Sequence, residues 1–198
     1  IAHIALSFLG IAGFATAVRR SLMPIAASLS TSHPKVRLLI HEHEPAEAFA
    51  LLAADDVDLA LVYDYTLAPA TFDRSVETTP LWTAEWSLGV PERDAPGADG
   101  TAVEVFGRFR SHSWIVNSRN TADEQAVRTV ASMAGFEPAV AHRVDSLELV
   151  EDLICRGLGV GVLPADHPAR AGVALLPLAD PGITLRSYAA VRRGRANW

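Results

Sequence analysis

The chain has 198 residues, of which 49% are apolar and 20% charged, a composition that excludes disordered and collagen-like chains. Its 17 Lys and Arg residues are outnumbered by 23 Asp and Glu residues, which gives a net charge of −6. This segment is therefore a poor candidate for binding the phosphates of a nucleic acid. We expect the partner of this segment to be a small molecule or a protein.

The cysteine content and the absence of targeting signals favour the cytoplasm. Cys155 is the only cysteine, which excludes an intrachain disulfide and does not indicate an oxidising compartment. The first residues contain neither a Met nor the basic start of a signal peptide, and no run of about 18 apolar residues could cross a membrane. We interpret the chain as a fragment trimmed at its N-terminus.

The first 65 residues alternate between strand-like and helical patterns. Strands are predicted at 8–14, 36–40 and 57–63, with a first helix that Thr16 caps and that Pro24 bends, and a second helix with Pro45 in its first turn. Such alternation predicts right-handed βαβ crossovers and a parallel sheet. The loops that follow the three strands then share one edge, where a ligand site is expected.

From residue 66 onward the pattern changes and predicts a second lobe. Strand-like segments lie at 75–79 and 86–91, and capping boxes at Thr121 with Glu124 and at Asp145 with Glu148 each open a helix. Gly135 and Gly157 are expected to end these helices. The remaining predicted strands are 114–117, 139–144, 158–163, 173–176 and 184–193.

Catalytic and cofactor signatures are scarce. The glycines of the run 157–161 follow a helix and precede a strand, which is the reverse of a dinucleotide site, so we expect helix capping and no cofactor. His41 and His43 could form a pair of metal ligands, but a solvated strand end is the commoner explanation, and no metal site is expected. Cys155 is interpreted as a small core or half-buried residue. No catalytic residue can be named.

Tyr63, Asp64 and Tyr65 are the stronger candidates for recognition. They lie where a predicted parallel strand ends, at the edge of the sheet that favours ligand binding. Loop packing explains these three residues equally well.

A set of short motifs, in order along the chain, carries a family resemblance. They are Phe14-Ala15-Thr16-Ala17, Leu22-Met23-Pro24, His33-Pro34-Lys35-Val36 followed by Glu42, Asp58-Leu59-Ala60-Leu61, Ala134-Gly135-Phe136-Glu137-Pro138, Val144-Asp145-Ser146 and the run from Gly157 to Pro164. From about Leu9 to Arg193 the chain resembles the effector-binding (regulatory) domain of LysR-type transcriptional regulators.

The resemblance implies an α/β fold like that of type 2 periplasmic binding proteins. Two Rossmann-like lobes are joined by two crossover segments, with lobe I at 1–86 plus 177–198 and lobe II at 87–176, and a small effector lies in the cleft between them. It also implies a homodimer or homotetramer, with DNA bound only by an N-terminal winged helix-turn-helix domain that is absent from this chain. Cofactors and membranes play no part in this interpretation.

The resemblance also places the effector contacts. The expected residues are Ala15, Thr16, Glu44, Tyr63, Asp64, Asn117, Arg119, Thr121, Asp145 and Ser146. Arg119 is the obvious partner for an anionic group, whereas the carboxylate of Glu44 disfavours an aromatic acid at its position. For Thr121 and Asp145, helix capping is an equally good explanation.

Two other classes share the expected fold. A solute-binding protein of a transporter would be exported and would carry a signal peptide or a lipid-anchor cysteine. A dehydratase of small acids ranks last, because its chemistry needs positioned acids or bases and the carboxylates of this chain have simpler roles as caps or surface groups.

Overall fold

The structure is a computed structural model that describes residues 6–119 and 122–195. The strands are β1 (Ser7–Gly13), β2 (Val36–Glu42), β3 (Leu59–Tyr65), β4 (Val76–Pro91), β5 (Ser113–Val116), β6 (Ala139–Arg143), β7 (Val160–Pro164), β8 (Val173–Leu176) and β9 (Ile183–Arg192). The α-helices are α1 (Ala15–Ala17), α2 (Met23–Ser32), α3 (Pro45–Ala53), α4 (Ala102–Arg108), α5 (Ala122–Met133) and α6 (Leu147–Cys155).

The chain forms two compact units. The first consists of Ile1–Tyr63, Ala70–Trp82 and Arg186–Trp198, and the second of Asp64–Pro69 and Thr83–Leu185. The strands β3, β4 and β9 each contribute residues to both units. The alternating patterns of the sequence therefore fold into two α/β units, as expected for the fold class.

The first unit is built on the strand order β2-β1-β3-β9-β4. β1 pairs in parallel with β2 on one side and β3 on the other, which confirms the predicted strand–helix–strand alternation. Ala12, Ala60 and Val62 of the sheet pack against Ala48 and Leu52 of α3 in a fully buried cluster. Burial of these apolar groups holds α3 on the sheet.

The start of the first helix differs from the prediction. Phe14, and not Thr16, occupies the N-cap position, and no side chain caps α1. A π-helical turn at Val18–Leu22 separates α1 from α2, and Pro24 stands in the first turn of α2. Proline lacks an N–H and its ring clashes with the carbonyl four residues earlier, so the irregular turn lies where Pro24 was predicted to bend the helix.

The second unit has the strand order β4-β7-β5-β6, with β8 also paired to β4. β5 pairs in parallel with β6 and β7, whereas β4 is antiparallel to β7 and β8. Val150 and Ile154 of α6 pack on Ile115 and Leu163, which fills the space beneath the sheet. Gly157 ends α6 with a φ of +70°, a conformation that glycine adopts without strain, which confirms the predicted cap.

Two further predictions are wrong. The strand-like segments 75–79 and 86–91 belong to one 16-residue strand, β4. The exposed residue Pro80 interrupts the sequence pattern without ending the strand, because the fixed φ of proline is compatible with extended backbone. Ser146, and not Asp145, caps α6 by accepting the backbone N–H of Leu149 at 3.3 Å. Asp145 is engaged instead by groups 26 and 27 residues away in the chain.

Candidate functional site

In the first unit, Glu44 and Tyr63 form a buried pair at the strand ends. The Tyr63 hydroxyl donates to Glu44 Oε2 at 2.8 Å, and both side chains are 7% exposed. Glu44 also caps α3, because its side chain accepts the backbone N–H of Glu47 while the Glu47 carboxylate accepts the N–H of Glu44 at 3.1 Å. The Glu44 carboxylate is therefore held by groups of its own unit.

Aromatic rings pack on one member of this pair, Tyr63, and on its neighbour Phe14. Phe14 packs edge-on against Tyr63 with ring centroids 4.5 Å apart, and Trp82 lies 6.2 Å from Phe14 on another side. The indole N–H of Trp82 donates to Ser21 Oγ at 2.9 Å, and the Arg20 guanidinium stacks 5.0 Å from the indole centroid. The strand ends of the first unit thus form a dense, largely apolar cluster.

Ala15 and Thr16 follow Phe14 directly and are half-buried. Ala15 lines an open depression of about 300 Å³ together with Val18, Arg19, Ile40 and Glu42. Arg19 and Glu42 give the depression one positive and one negative charge, and its other lining residues are apolar. Its Arg19 and Glu42 side chains are exposed, so solvent screens both charges.

In the second unit, three predicted residues meet at the ends of β5 and β6. Arg119 Nε donates to Asp145 Oδ2 at 2.7 Å, and the Asn117 side-chain oxygen accepts the backbone N–H of Arg119 at 2.8 Å. Ser118 adds its backbone N–H and its hydroxyl to Asp145 Oδ1. Partial burial on its own raises the pKa of Asp145, and the hydrogen bonds from Ser118 and Arg119 together outweigh it and hold that pKa below its ordinary value.

The remaining predicted residues have separate positions. Ser146 is exposed and caps α6. Asp64 is 2% exposed and belongs to the second unit, although it follows Tyr63 directly. Thr121 lies outside the described residues. The structure therefore joins Glu44 with Tyr63, and Asn117 with Arg119 and Asp145, and the effector contact of all ten residues stays a prediction.

Sequence reasoning missed three residues of these two clusters: Phe14 and Ser118, which follow β1 and β5, and Trp82, which lies within β4. A large aromatic residue at the end of a strand is a local signal that could have drawn attention to Phe14. Ser118 was passed over because neighbours with stronger side-chain chemistry flank it. Trp82 lies 61 residues from its partner Ser21, and no local pattern predicts such a contact.

The described residues contain no group of three or more His, Cys, Asp or Glu side chains placed to hold a metal ion. The His41 and His43 rings lie side by side with centroids 6.3 Å apart, and His43 Nδ1 is 3.3 Å from Glu47 Oε2. Among the same residues, every helix is too short or too polar to cross a membrane.

A family model described as the LysR substrate binding domain matches residues 9–197. The chain belongs to this family. Its fold is accordingly the α/β fold of the LysR substrate-binding domains, like that of type 2 periplasmic binding proteins, which confirms the resemblance carried by the motifs.

The chain is also similar to individual regulators, and at the identities found their solved structures show the shared fold. The HTH-type transcriptional regulator CysB of Haemophilus influenzae is 24% identical over 148 residues, which are 75% of this chain and 44% of that protein. The matched segment thus spans less than half the length of this relative. The C-terminal domain of a probable LysR family transcriptional regulator from Rhodococcus sp. RHA1 superposes with a TM-score of 0.75 at 21% identity, covering 96% of this chain and 92% of that domain.

A second solved structure contains a ligand. The BenM effector binding domain with its effector benzoate has a TM-score of 0.70 at 18% identity, covering 94% of this chain and 84% of that one. At this identity the likeness concerns the fold.

Proposed function

We propose that this chain is the effector-sensing regulatory domain of a LysR-type DNA-binding transcriptional regulator. The match of the LysR substrate-binding model to residues 9–197 carries the proposal. The relative CysB is a helix-turn-helix regulator more than twice as long as the matched segment, and the net charge of −6 suits a domain that leaves DNA to another part of the protein. The family match favours this role over a solute-binding protein or a dehydratase.

The effector is a small anion in this proposal, and Arg119 is its principal charged contact. Arg119 is paired with Asp145 at the protein surface, where an ion pair contributes about 1 kcal/mol or less. Arg119 can therefore leave Asp145 for an effector carboxylate, or bind both carboxylates, at a small cost in free energy. The anionic effector of the BenM domain supports the same chemistry. In this proposal the buried Glu44–Tyr63 pair is part of the region of the first unit that contacts the effector.

Homo-oligomerisation is the second part of the proposal, and the surface of α2 and β2 supports it. None of the ten residues of α2 is buried, and Met23 and Ile25 are 46% and 50% exposed. Leu39 and Ile40 of the edge strand β2 are 45% and 41% exposed. Exposed large apolar side chains on a helix and an edge strand are typical of an interface, and a second copy of the chain is the proposed occupant.

The effector is tested by thermal shift with benzoate, aliphatic dicarboxylates and amino acids as probes. We expect one anionic class to stabilise the chain in a saturable way, by about 2.7 kcal/mol when its concentration is 100 times Kd. Arg119→Ala removes this shift. Arg156→Ala, which removes another exposed Arg–Asp pair in the second unit, preserves it. Stabilisation by none of the probes, or an equal response of both variants, contradicts the proposed contact.

Oligomerisation is tested by sedimentation over a hundredfold range of concentration. Ile25→Glu places a charge on the α2 surface and is expected to shift the chain toward monomer. Met133→Glu is the matched control, because Met133 is 56% exposed and belongs to the second unit. A wild-type monomer at every concentration, or equal dissociation of both variants, contradicts this interface.

A further inference from the structure

The polypeptide passes from the first unit to the second inside strands. Tyr63 is the last residue of the first unit in β3, and Trp82 is its last residue in β4. Conformational changes in two-unit proteins are commonly absorbed by a few residues at such crossing points. Interactions of Tyr63 and Trp82 within the first unit therefore affect the local stability of β3 and β4, two of the three strands that pass between the units.

A single ring contacts both of these residues. Phe14 is 6% exposed, and its ring meets Tyr63 at an interplanar angle of 67° and Trp82 at 56°. Tilted and edge-on arrangements are the favoured geometries of aromatic pairs and add to the free energy of simple burial. Phe14 thus links β3 to β4 within the first unit, and it is also the residue from which α1 starts.

Trp82 has a second attachment, to the π turn. The turn supplies two consecutive residues, Arg20 to the indole face and Ser21 to the indole N–H. Consecutive side chains of a regular α-helix point about 100° apart, so a contact of both with one ring is unusual for a helix. π turns are rare and are frequently found at functional positions.

We propose that these five residues, Phe14, Arg20, Ser21, Tyr63 and Trp82, form an aromatic clasp that couples the start of the first helix to β3 and β4, two of the three strands that pass between the units. Ala15 and Thr16 lie between Phe14 and the π turn in the chain. An effector bound at Ala15 and Thr16 then changes the stability of β3 and β4 where they leave the first unit. The effector step rests on the proposed function, whereas the coupling is a property of the chain alone.

The coupling is tested without any ligand, by backbone amide exchange of the chain measured by NMR. Ser21→Ala removes the acceptor of the Trp82 indole, and we expect amide exchange at 81–83 and also at 62–64 to become about three- to tenfold faster. Ser21 bonds a residue of β4, and β9 lies between β4 and β3 in the sheet, so a response in β3 with unchanged exchange in β9 indicates transmission through Phe14. A purely local role of Ser21 changes exchange at 81–83 alone, and that result overturns the proposal.

Two variants extend the test. Thr16→Gly loosens the first helical turn and is expected to speed exchange in the same two segments. The matched control is Ser28→Ala. The Ser28 hydroxyl donates to the carbonyl of Ile25 within α2, and we expect this variant to keep wild-type exchange in both segments. A response to Thr16→Gly that stops at the helix contradicts the coupling. Failure of the thermal-shift probes counts against the proposed effector and leaves these exchange results unaffected.

Discussion

The strand ends of the two units are built on different physical principles. In the first unit, Glu44 and Tyr63 are almost completely buried, and the Phe14 ring packs edge-on against Tyr63. In the second unit, Arg119 and Asp145 hold each other with side chains 36% and 29% exposed. One set of residues is enclosed by protein, and the other is in contact with water.

This difference determines what each cluster can do. A buried carboxylate cannot change partners cheaply, because a lost hydrogen bond leaves it desolvated, so the first unit presents a preformed surface. A surface ion pair contributes little net free energy and can exchange partners with solvent or with a ligand. The contrast predicts large stability effects in the first unit and small, pH-dependent ones in the second.

The largest effect is expected for Gly13→Ala, at the end of β1. A Cβ at this position would lie 2.6 Å from the Cβ of Leu61, its partner in β3. Neither backbone can move freely, because both strands lie inside the sheet. We expect a loss of about 3 kcal/mol in the free energy of unfolding, measured by urea denaturation.

The matched control for this substitution is Gly107→Ala in α4. A Cβ there meets nothing within 4 Å, and alanine is the better helix former, so the second unit should gain about 0.5–1 kcal/mol. A Gly13→Ala variant as stable as the wild type would show that the strand ends of the first unit are not tightly packed.

Tyr63→Phe is expected to have the next largest effect. It removes the donor to Glu44 and leaves a buried carboxylate with one hydrogen bond fewer, at a cost of about 2 kcal/mol. Glu44→Gln keeps an acceptor for Tyr63 and for the helix N-terminus, so its cost should be smaller. Thermal denaturation compares the two, and the reverse order would mean that the charge of Glu44 matters more than its bond to Tyr63.

The order of helices and strands was predictable because its signals are local. The apolar runs of β1 and β2, Pro45 in the first turn of α3 and Gly157 after α6 each act within a few residues. Family motifs then extended these local patterns to the whole fold. The same reasoning failed at β4, where Pro80 interrupts a pattern that continues on both sides of it.

The side-chain partners of the candidate site were not predictable from local patterns. Asp145 and Ser146 are equally good caps in the sequence, and the choice depends on Ser118 and Arg119, which are brought to Asp145 by the pairing of β5 with β6. The bond of Tyr63 to Glu44 and that of Trp82 to Ser21 likewise depend on strand order. Long-range pairing therefore separates what the sequence predicts from what only the structure shows.

The smallest effect is expected for Asp145→Asn, and its dependence on pH distinguishes it from the others. Because the folded state lowers the pKa of Asp145, its contribution to stability is complete above the ordinary value of 3.8 and is lost as the pH falls through the lower folded pKa. At pH 7 the substitution should cost less than about 1 kcal/mol, since solvent screens the pair.

Urea denaturation of the wild type and Asp145→Asn at pH 7, 5 and 3 measures this dependence. The difference between them should be the same at pH 7 and 5 and should shrink at pH 3, where protonated aspartic acid resembles asparagine in charge. Asp56→Asn removes one exposed charge from the first unit and controls for the change in net charge. A difference that persists unchanged at pH 3 would mean that Asp145 acts through its shape, and the strand ends of the second unit would then resemble those of the first.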